Sequence, residues 1–165
     1  MKLHEGHRKR MRDKYILDGI DKFCEHEILE FALYYAIPRK NTNEIAHNLL
    51  NKFGSFAAVL DAPLSALKNV EGMGETSAIF IKFLPDLART YMNSSMSLEG
   101  KLMSKKEACD KLSLHFIGRR EEIAALMLFD SKGKMLYNGV INKGTINAVD
   151  LYARKIVELV LAYNA

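Results

Sequence analysis

Residues 123–129 read Ile-Ala-Ala-Leu-Met-Leu-Phe, seven apolar side chains in a row, and few folds accommodate such a run. A membrane helix needs roughly 18–20 apolar residues, so the run is too short to span a bilayer. An exposed strand alternates apolar with polar positions, so it is too unbroken for one. It reads instead as a strand expected to be buried on both faces. Ser131-Lys132-Gly133-Lys134 supplies a turn and Met135–Asn142 a second strand, so the pair is expected to form a hairpin. A helix over Lys105–Phe116, with Ala108, Leu112 and Phe116 aligned, is expected before it. A second helix follows, capped by Asn147, with Val149, Tyr152, Ile156, Leu159 and Tyr163 on one stripe.

Such a unit is short of core. About 65 residues bury little apolar surface, and two helices hardly cover both faces and both edges of a two-stranded sheet. The expected remedy is a homodimer built through this C-terminal unit, hairpin against hairpin, with the N-terminal helices outside the interface.

Before Tyr91 the pattern is helical. Ile28, Phe31, Ala32 and Tyr35 recur at helical spacing, with Pro38 just beyond. Thr42 or Asn43 caps a second helix, in which Ile45, Leu49 and Phe53 form the stripe and Gly54 the stop. Short helices are expected at Phe56–Leu60 and Leu64–Lys68. A long one over Glu75–Tyr91 carries Phe80, Leu84, Leu87 and Tyr91 on one face and is expected to bend at Pro85. Small polar residues with no periodicity mark a linker. The fold class is therefore α+β: an all-helical domain over residues 1–92, a linker at 93–101, and a helix–hairpin–helix-ordered α/β unit over 102–165.

Charge is unevenly placed. Lys and Arg number 24 against 20 Asp and Glu, and the whole surplus sits in residues 1–14, where Lys2, Arg8, Lys9, Arg10, Arg12 and Lys14 face Glu5 and Asp13. This basic arm, expected to fray, either contacts phosphate or is simply a solvated tail. No secretory signal and no membrane segment is visible. Cys24 and Cys109 stand far apart, as two buried thiols in a reducing, cytoplasmic setting would.

The strongest local motif is Leu67-Lys68-Asn69-Val70-Glu71-Gly72-Met73-Gly74-Glu75-Thr76-Ser77-Ala78. A short helix, Gly-x-Gly and a helix start make the layout of a helix-hairpin-helix. Amides around Gly72, Met73 and Gly74 would face outward and accept a phosphate oxygen without reading a base. Lys68, Lys82 and the arm residues Arg8, Lys9 and Arg10 would assist, while Glu71 and Glu75 oppose. The alternative is a Gly-rich connector between packed helices. His4 and His7, or His26 beside Cys24, are too few for a metal site. Glu121 and Glu122 precede the apolar strand, where a carboxylate is either a general base or an ordinary strand start.

Taken together, HEGHRKRM, the block AIPRKNTNEIAHNLL, VEGMGETSA, and the later LFDSK, GTIN and RKIVE resemble bacterial RadC proteins over nearly the whole chain. The resemblance implies a helix-hairpin-helix region followed by the start of a JAB/MPN-type, metallopeptidase-like domain, in a family associated with DNA repair. It also implies a zinc site, made in the complete family fold by a His-x-His motif and a downstream Asp, with Glu122 as acid/base. The ligands match nothing before Ala165, so no cofactor is expected in this chain and no hydrolase activity. The expected function is weak, non-specific DNA binding; the alternative is a protein–protein interaction module without nucleic acid.

Overall fold

Capping residues decide where the helices of this chain begin. The computed structural model describes residues 6–95, 102–119, 121–144 and 149–165. Helix α3 (Thr42–Phe53) starts behind Asn41, whose side chain accepts the Asn43 N–H at 3.1 Å, one residue before the cap expected. It stops at Gly54, which takes a left-handed φ of 89°. Helix α4 (Phe56–Asp61) starts at Ser55, whose hydroxyl accepts the Ala58 N–H. Cys24 and Glu27 form a reciprocal capping box at the head of α2 (Glu25–Ala36). Helix α5 spans Leu64–Lys68, and α6 (Glu75–Ser95) runs through Pro85 and beyond Tyr91.

The arm expected to fray is helical from its seventh residue. Helix α1 covers His7–Asp18, and a 3-10 turn follows at Ile20–Lys22; Lys2, His4 and Glu5 lie outside the described residues. Two compact units divide at Leu84 and Pro85, within α6. The expected linker falls mostly at residues 96–101, outside the described residues.

The first unit closes around Leu29, Leu33, Ile45, Leu49, Leu67 and Ile81, from α2, α3, α5 and α6. Each fully buried Leu or Ile contributes about 1.5–3 kcal/mol. The α2 stripe is rotated from the one expected: Leu29, Glu30, Leu33 and Tyr34 are buried, while Tyr35 is 70% exposed. In α6 Ser77, Ala78, Ile81 and Pro85 are buried, whereas Leu87 and Tyr91 face solvent.

Polar bonds dock α1 beside a small apolar cluster of Met11, Phe23 and Tyr34. Glu30, at 1% exposure, accepts from Tyr34 Oη at 2.8 Å and from Asn43 Nδ2 at 2.9 Å, and His7 Nε2 lies 2.9 Å from it. Burial and that carboxylate push the Tyr34 phenol well above its usual range. Arg8 donates to the carbonyls of Tyr34, Ile37 and Lys40 at the end of α2, with its guanidinium 4.5 Å from the Tyr34 ring centre. Lys14 Nζ sits 2.8 Å from both Glu27 oxygens.

In the second unit, α7 (Lys105–Ser113) begins with a Ser104–Glu107 capping box and leads through a 3-10 turn, Leu114–Phe116. Strands β1 (Ile123–Phe129) and β2 (Met135–Lys143) pair antiparallel, with irregular register at Ala124/Ala125 and Leu128/Phe129. Asp130 Oδ1 accepts the Lys132 and Lys134 N–H groups at 2.8 Å each, which closes the turn and holds the Asp130 carboxyl below its usual range. Helix α8 spans Val149–Tyr163; Asn147, the expected cap, and the Val149 and Tyr152 side chains lie outside the described residues.

The sheet faces are covered less than the sequence led one to expect. Leu112 of α7 lines a groove with Ala125, Met127 and Phe129 on one side. On the other, Tyr137, the cross-strand partner of Leu128, packs its ring 5.2 Å from that of Tyr163. Yet only Leu128 of β1 is buried and the other six residues are half-buried, because one helix per face cannot enclose a two-stranded sheet with a free edge. Among the described residues no helix is long and apolar enough to cross a membrane.

Two measurements probe the docking of α1. Glu30→Ala strands the Tyr34 hydroxyl and the Asn43 amide, and should destabilise the chain by about 3 kcal/mol in urea unfolding. The Lys14 ammonium holds Glu27 at about 2 against an ordinary 4.5, helped by the Cys24 N–H. A depressed carboxyl stabilises the fold fully above about 4.5 and loses that contribution as pH falls towards about 2. Melting temperature should therefore drop more steeply over that window in the parent chain than in Glu27→Gln.

Candidate nucleic-acid interface

The turn between α5 and α6 is built around one glycine rather than two. Gly72 has a left-handed φ of 84°, and a Cβ placed on it would stand 2.6 Å from Ile45 Cγ1 of α3. Gly74 meets neither constraint: its φ is ordinary, and a Cβ there would point into open space. The turn therefore lies directly against the core helix, and Gly72 is what permits the approach.

The donors of this turn are largely engaged within it. The Met73 N–H donates to the Val70 carbonyl at 3.0 Å, and the Gly74 N–H donates to Ser77 Oγ at 2.8 Å. Glu75 and Thr76, in the first turn of α6, retain the amides that a helix start leaves open. Lys68 pairs with the exposed Glu75 at 3.1 Å, and Lys82 donates to the Leu60 carbonyl in the last turn of α4 at 2.8 Å. Beside the turn, a cleft of about 200 Å³ is lined by Glu44, Glu71, Lys40, Asn41, Asn48 and Gly72. Two carboxylates there oppose a phosphate approaching Gly72.

The arm residues divide in two. Arg8 is bound to the end of α2, as described. Lys9, Arg10 and Arg12 are exposed on α1, and Arg39 and Lys40 are exposed on the loop whose Lys40 carbonyl Arg8 holds. Arg12 is near enough to Tyr34 to act electrostatically on its phenol. The exposed cations thus lie on α1 and on the α2–α3 loop, where Lys40 also lines the cleft beside Gly72.

Glu122 is exposed immediately before β1, and its carbonyl accepts the Gly144 N–H at 2.9 Å. Among the described residues no group of three His, Cys, Asp or Glu side chains could hold a metal ion. His115 is 2.9 Å from Asn138 Oδ1 and stands apart from any such set. The residues described do not fit the zinc site that the resemblance implies, and no chemical step follows from Glu122 alone.

The cysteines were expected to be buried, and both are exposed free thiols. Cys24 stands at the surface because it caps α2: its Sγ lies 3.2 Å from Glu27 Oε2 and 3.3 Å from His26 Nδ1. His26 stacks on His47 with ring centres 4.5 Å apart. Glu30 escaped the sequence reading altogether. Its signal was a lone carboxylate inside Ile28-Leu29-Glu30-Phe31, four residues before a tyrosine.

The RadC-like JAB domain model matches residues 102–165. A UPF0758 protein of Fusobacterium nucleatum subsp. nucleatum is 34% identical in an alignment that covers 98% of this chain and 73% of that protein. No solved structure matches the chain.

The two glycines should respond differently to the same change. Gly72→Ala forces a Cβ against Ile45 in a left-handed backbone and should cost about 2–4 kcal/mol. Gly74→Ala should shift stability by no more than about 0.5 kcal/mol. Parallel urea titrations of the two variants check both.

Proposed function

This chain belongs to the RadC family, and on that premise we propose that its N-terminal unit binds the phosphate backbone of DNA weakly, without reading bases. The observation that carries the reading is the exposure of Lys9, Arg10 and Arg12 on α1 and of Arg39 and Lys40 on the loop that Arg8 ties to that helix through the Lys40 carbonyl. Exposed cations on two segments joined in this way suit phosphates, which position a protein on nucleic acid without specifying sequence. The α6 amides at Glu75 and Thr76 add a second, weaker anchor. Glu44, Glu71 and Glu75 limit its strength, and the affinity is accordingly low.

This reading moves the main contact from the glycine turn to α1. The turn keeps a scaffolding part, since Gly72 seats it on Ile45. A DNA-repair role, which the family resemblance implies, would use such a surface to hold a duplex of any sequence. Both thiols are free, which supports the reducing cytoplasm as its setting. A second reading, a protein-binding module, draws on the exposed Ile16 and Leu17 at the end of α1, at 81% and 82% exposure.

Fluorescence anisotropy with a labelled duplex separates the two. Binding should weaken about a hundredfold between roughly 50 and 200 mM salt if about four phosphates are contacted. The triple variant Lys9→Glu, Arg10→Glu, Arg12→Glu should abolish it while the melting temperature holds. Affinity that ignores salt and these reversals would point to the protein-binding reading. Deleting residues 1–10 is a poorer test, because it also removes Arg8 from the end of α2.

A further inference from the structure

Three aromatic rings cross the α1–α2 pair without being enclosed by it. Tyr15 of α1 stacks on Phe31 of α2 with ring centres 5.1 Å apart, and Phe31 meets Tyr35 edge-on at 6.1 Å. Phe31 is half-buried, Tyr15 is 46% exposed and Tyr35 70%. The neighbouring Tyr34 is buried, with its hydroxyl committed to Glu30. Tyr35 therefore closes no core and leaves most of its ring in water, where a large aromatic surface is costly to keep unless something covers it.

The charges around the rings indicate what covers them. Arg8, Arg12 and Tyr15 follow at spacings of four and three, so they share one side of α1; Phe31 and Tyr35 share one side of α2 in the same way. Arg12 is exposed, and Arg39 is exposed on the loop just beyond Tyr35. At three- and four-residue spacing neither Arg12 nor Tyr35 has an acidic neighbour in sequence. The carboxylates of this region are engaged elsewhere. Asp13 stands at that spacing from Lys9 and Arg10, Glu27 is held by Lys14, Glu30 is enclosed, and Glu25 accepts the Phe56 N–H. Lys40 shares its cleft with Glu44 and Glu71, which leaves Arg12 and Arg39 as the stronger sites for an anion. Asp18 and Asp21 are exposed near Ile16, Leu17 and Ile20, so that apolar end is acidic and repels phosphate.

Open rings beside unopposed cations suit a single strand better than a duplex. A duplex stacks its bases on one another, whereas a single strand has free base faces that lie on aromatic rings while its phosphates meet cations. Every base has such a face, so the contact adds affinity without reading sequence. We propose that Tyr35, backed by Phe31 and Tyr15, is a stacking platform for the bases of single-stranded DNA, with Arg12 and Arg39 on its phosphates. The inference rests on the phosphate-binding reading above and adds the bases to it.

Anisotropy titrations of the full chain at low salt test it with three labelled probes: a short oligothymidylate, an abasic strand of the same length and a duplex of that length. The thymidylate should bind about tenfold more tightly than the abasic strand. Tyr35→Ala should remove that advantage and leave the abasic strand and the duplex unaffected, while Tyr35→Phe should keep it. Arg12→Ala should weaken all three probes, and Ile16→Ala with Leu17→Ala should weaken none. These side chains are exposed, so circular dichroism should report an unchanged fold in each variant. Equal affinity for the thymidylate and the abasic strand overturns the stacking inference and leaves the phosphate reading standing. An advantage that survives Tyr35→Ala, or one lost on changing Ile16 and Leu17, overturns it as well. Failure to bind any of the three probes removes both readings.

Discussion

A single buried carboxylate organises the first half of this protein. Glu30 is enclosed on α2, and a carboxylate removed from water requires donors. It finds them on three different helices: His7 on α1, Tyr34 on its own helix and Asn43 on α3. The requirement fixes the rotation of α2, since Glu30 turned outward would carry Leu29 and Leu33 out of the core with it. The same requirement helps to bring down the head of α1, where Met11 also packs with Phe23 and Tyr34 and Tyr15 stacks on Phe31. Met11 is the buried residue of that helix. Once His7 is held, Arg8 reaches the carbonyls at the end of α2, and Lys14, nearly two turns further on, reaches Glu27.

Several basic side chains in the first unit serve backbone carbonyls. Arg8 closes the end of α2, Lys82 that of α4, and Lys52 donates to the Ala66 and Asn69 carbonyls around the end of α5. A cation near a helix C-terminus satisfies orphan acceptors and meets the negative end of the dipole. Formal charge counted along the sequence therefore overstates the positive potential available to a ligand. The exposed remainder on α1 and the α2–α3 loop is smaller than the arm's composition indicates, and of it Lys40 borders the glycine turn.

Much of the architecture was legible in the amino-acid order. The hairpin and its turn, α3 with Gly54 as its stop, and the short helices α4 and α5 all follow from apolar period and turn chemistry. What stayed hidden has a common cause. The α2 stripe was misread because Glu30 interrupts it, and periodicity scores a charge as solvent-facing. Helix α1 escaped because its apolar contacts, Met11 and Tyr15, are few and stand among the charged residues that supply its ion pair and carbonyl bonds. Asn41 was passed over as a cap for Thr42 and Asn43, each as good a capper by type, and only backbone geometry separates them. The cysteines were placed inside on their general habit, yet Cys24 occupies a capping position that a helix start keeps at the surface. Gly72 and Gly74 look equivalent as letters; the nearness of Ile45, far off in the chain, makes one of them obligatory.

That last contact ties the history of two positions together. A methyl group at 72 has no room while isoleucine stands at 45, and trimming 45 first would open a hole beneath the turn with nothing yet to fill it. Each single step is thus unfavourable in its own way, and only the pair of changes restores packing. Even then the left-handed backbone at 72 still disfavours any side chain. A side chain is therefore accommodated far more readily at Gly74, where it meets open space, than at Gly72 above the core helix.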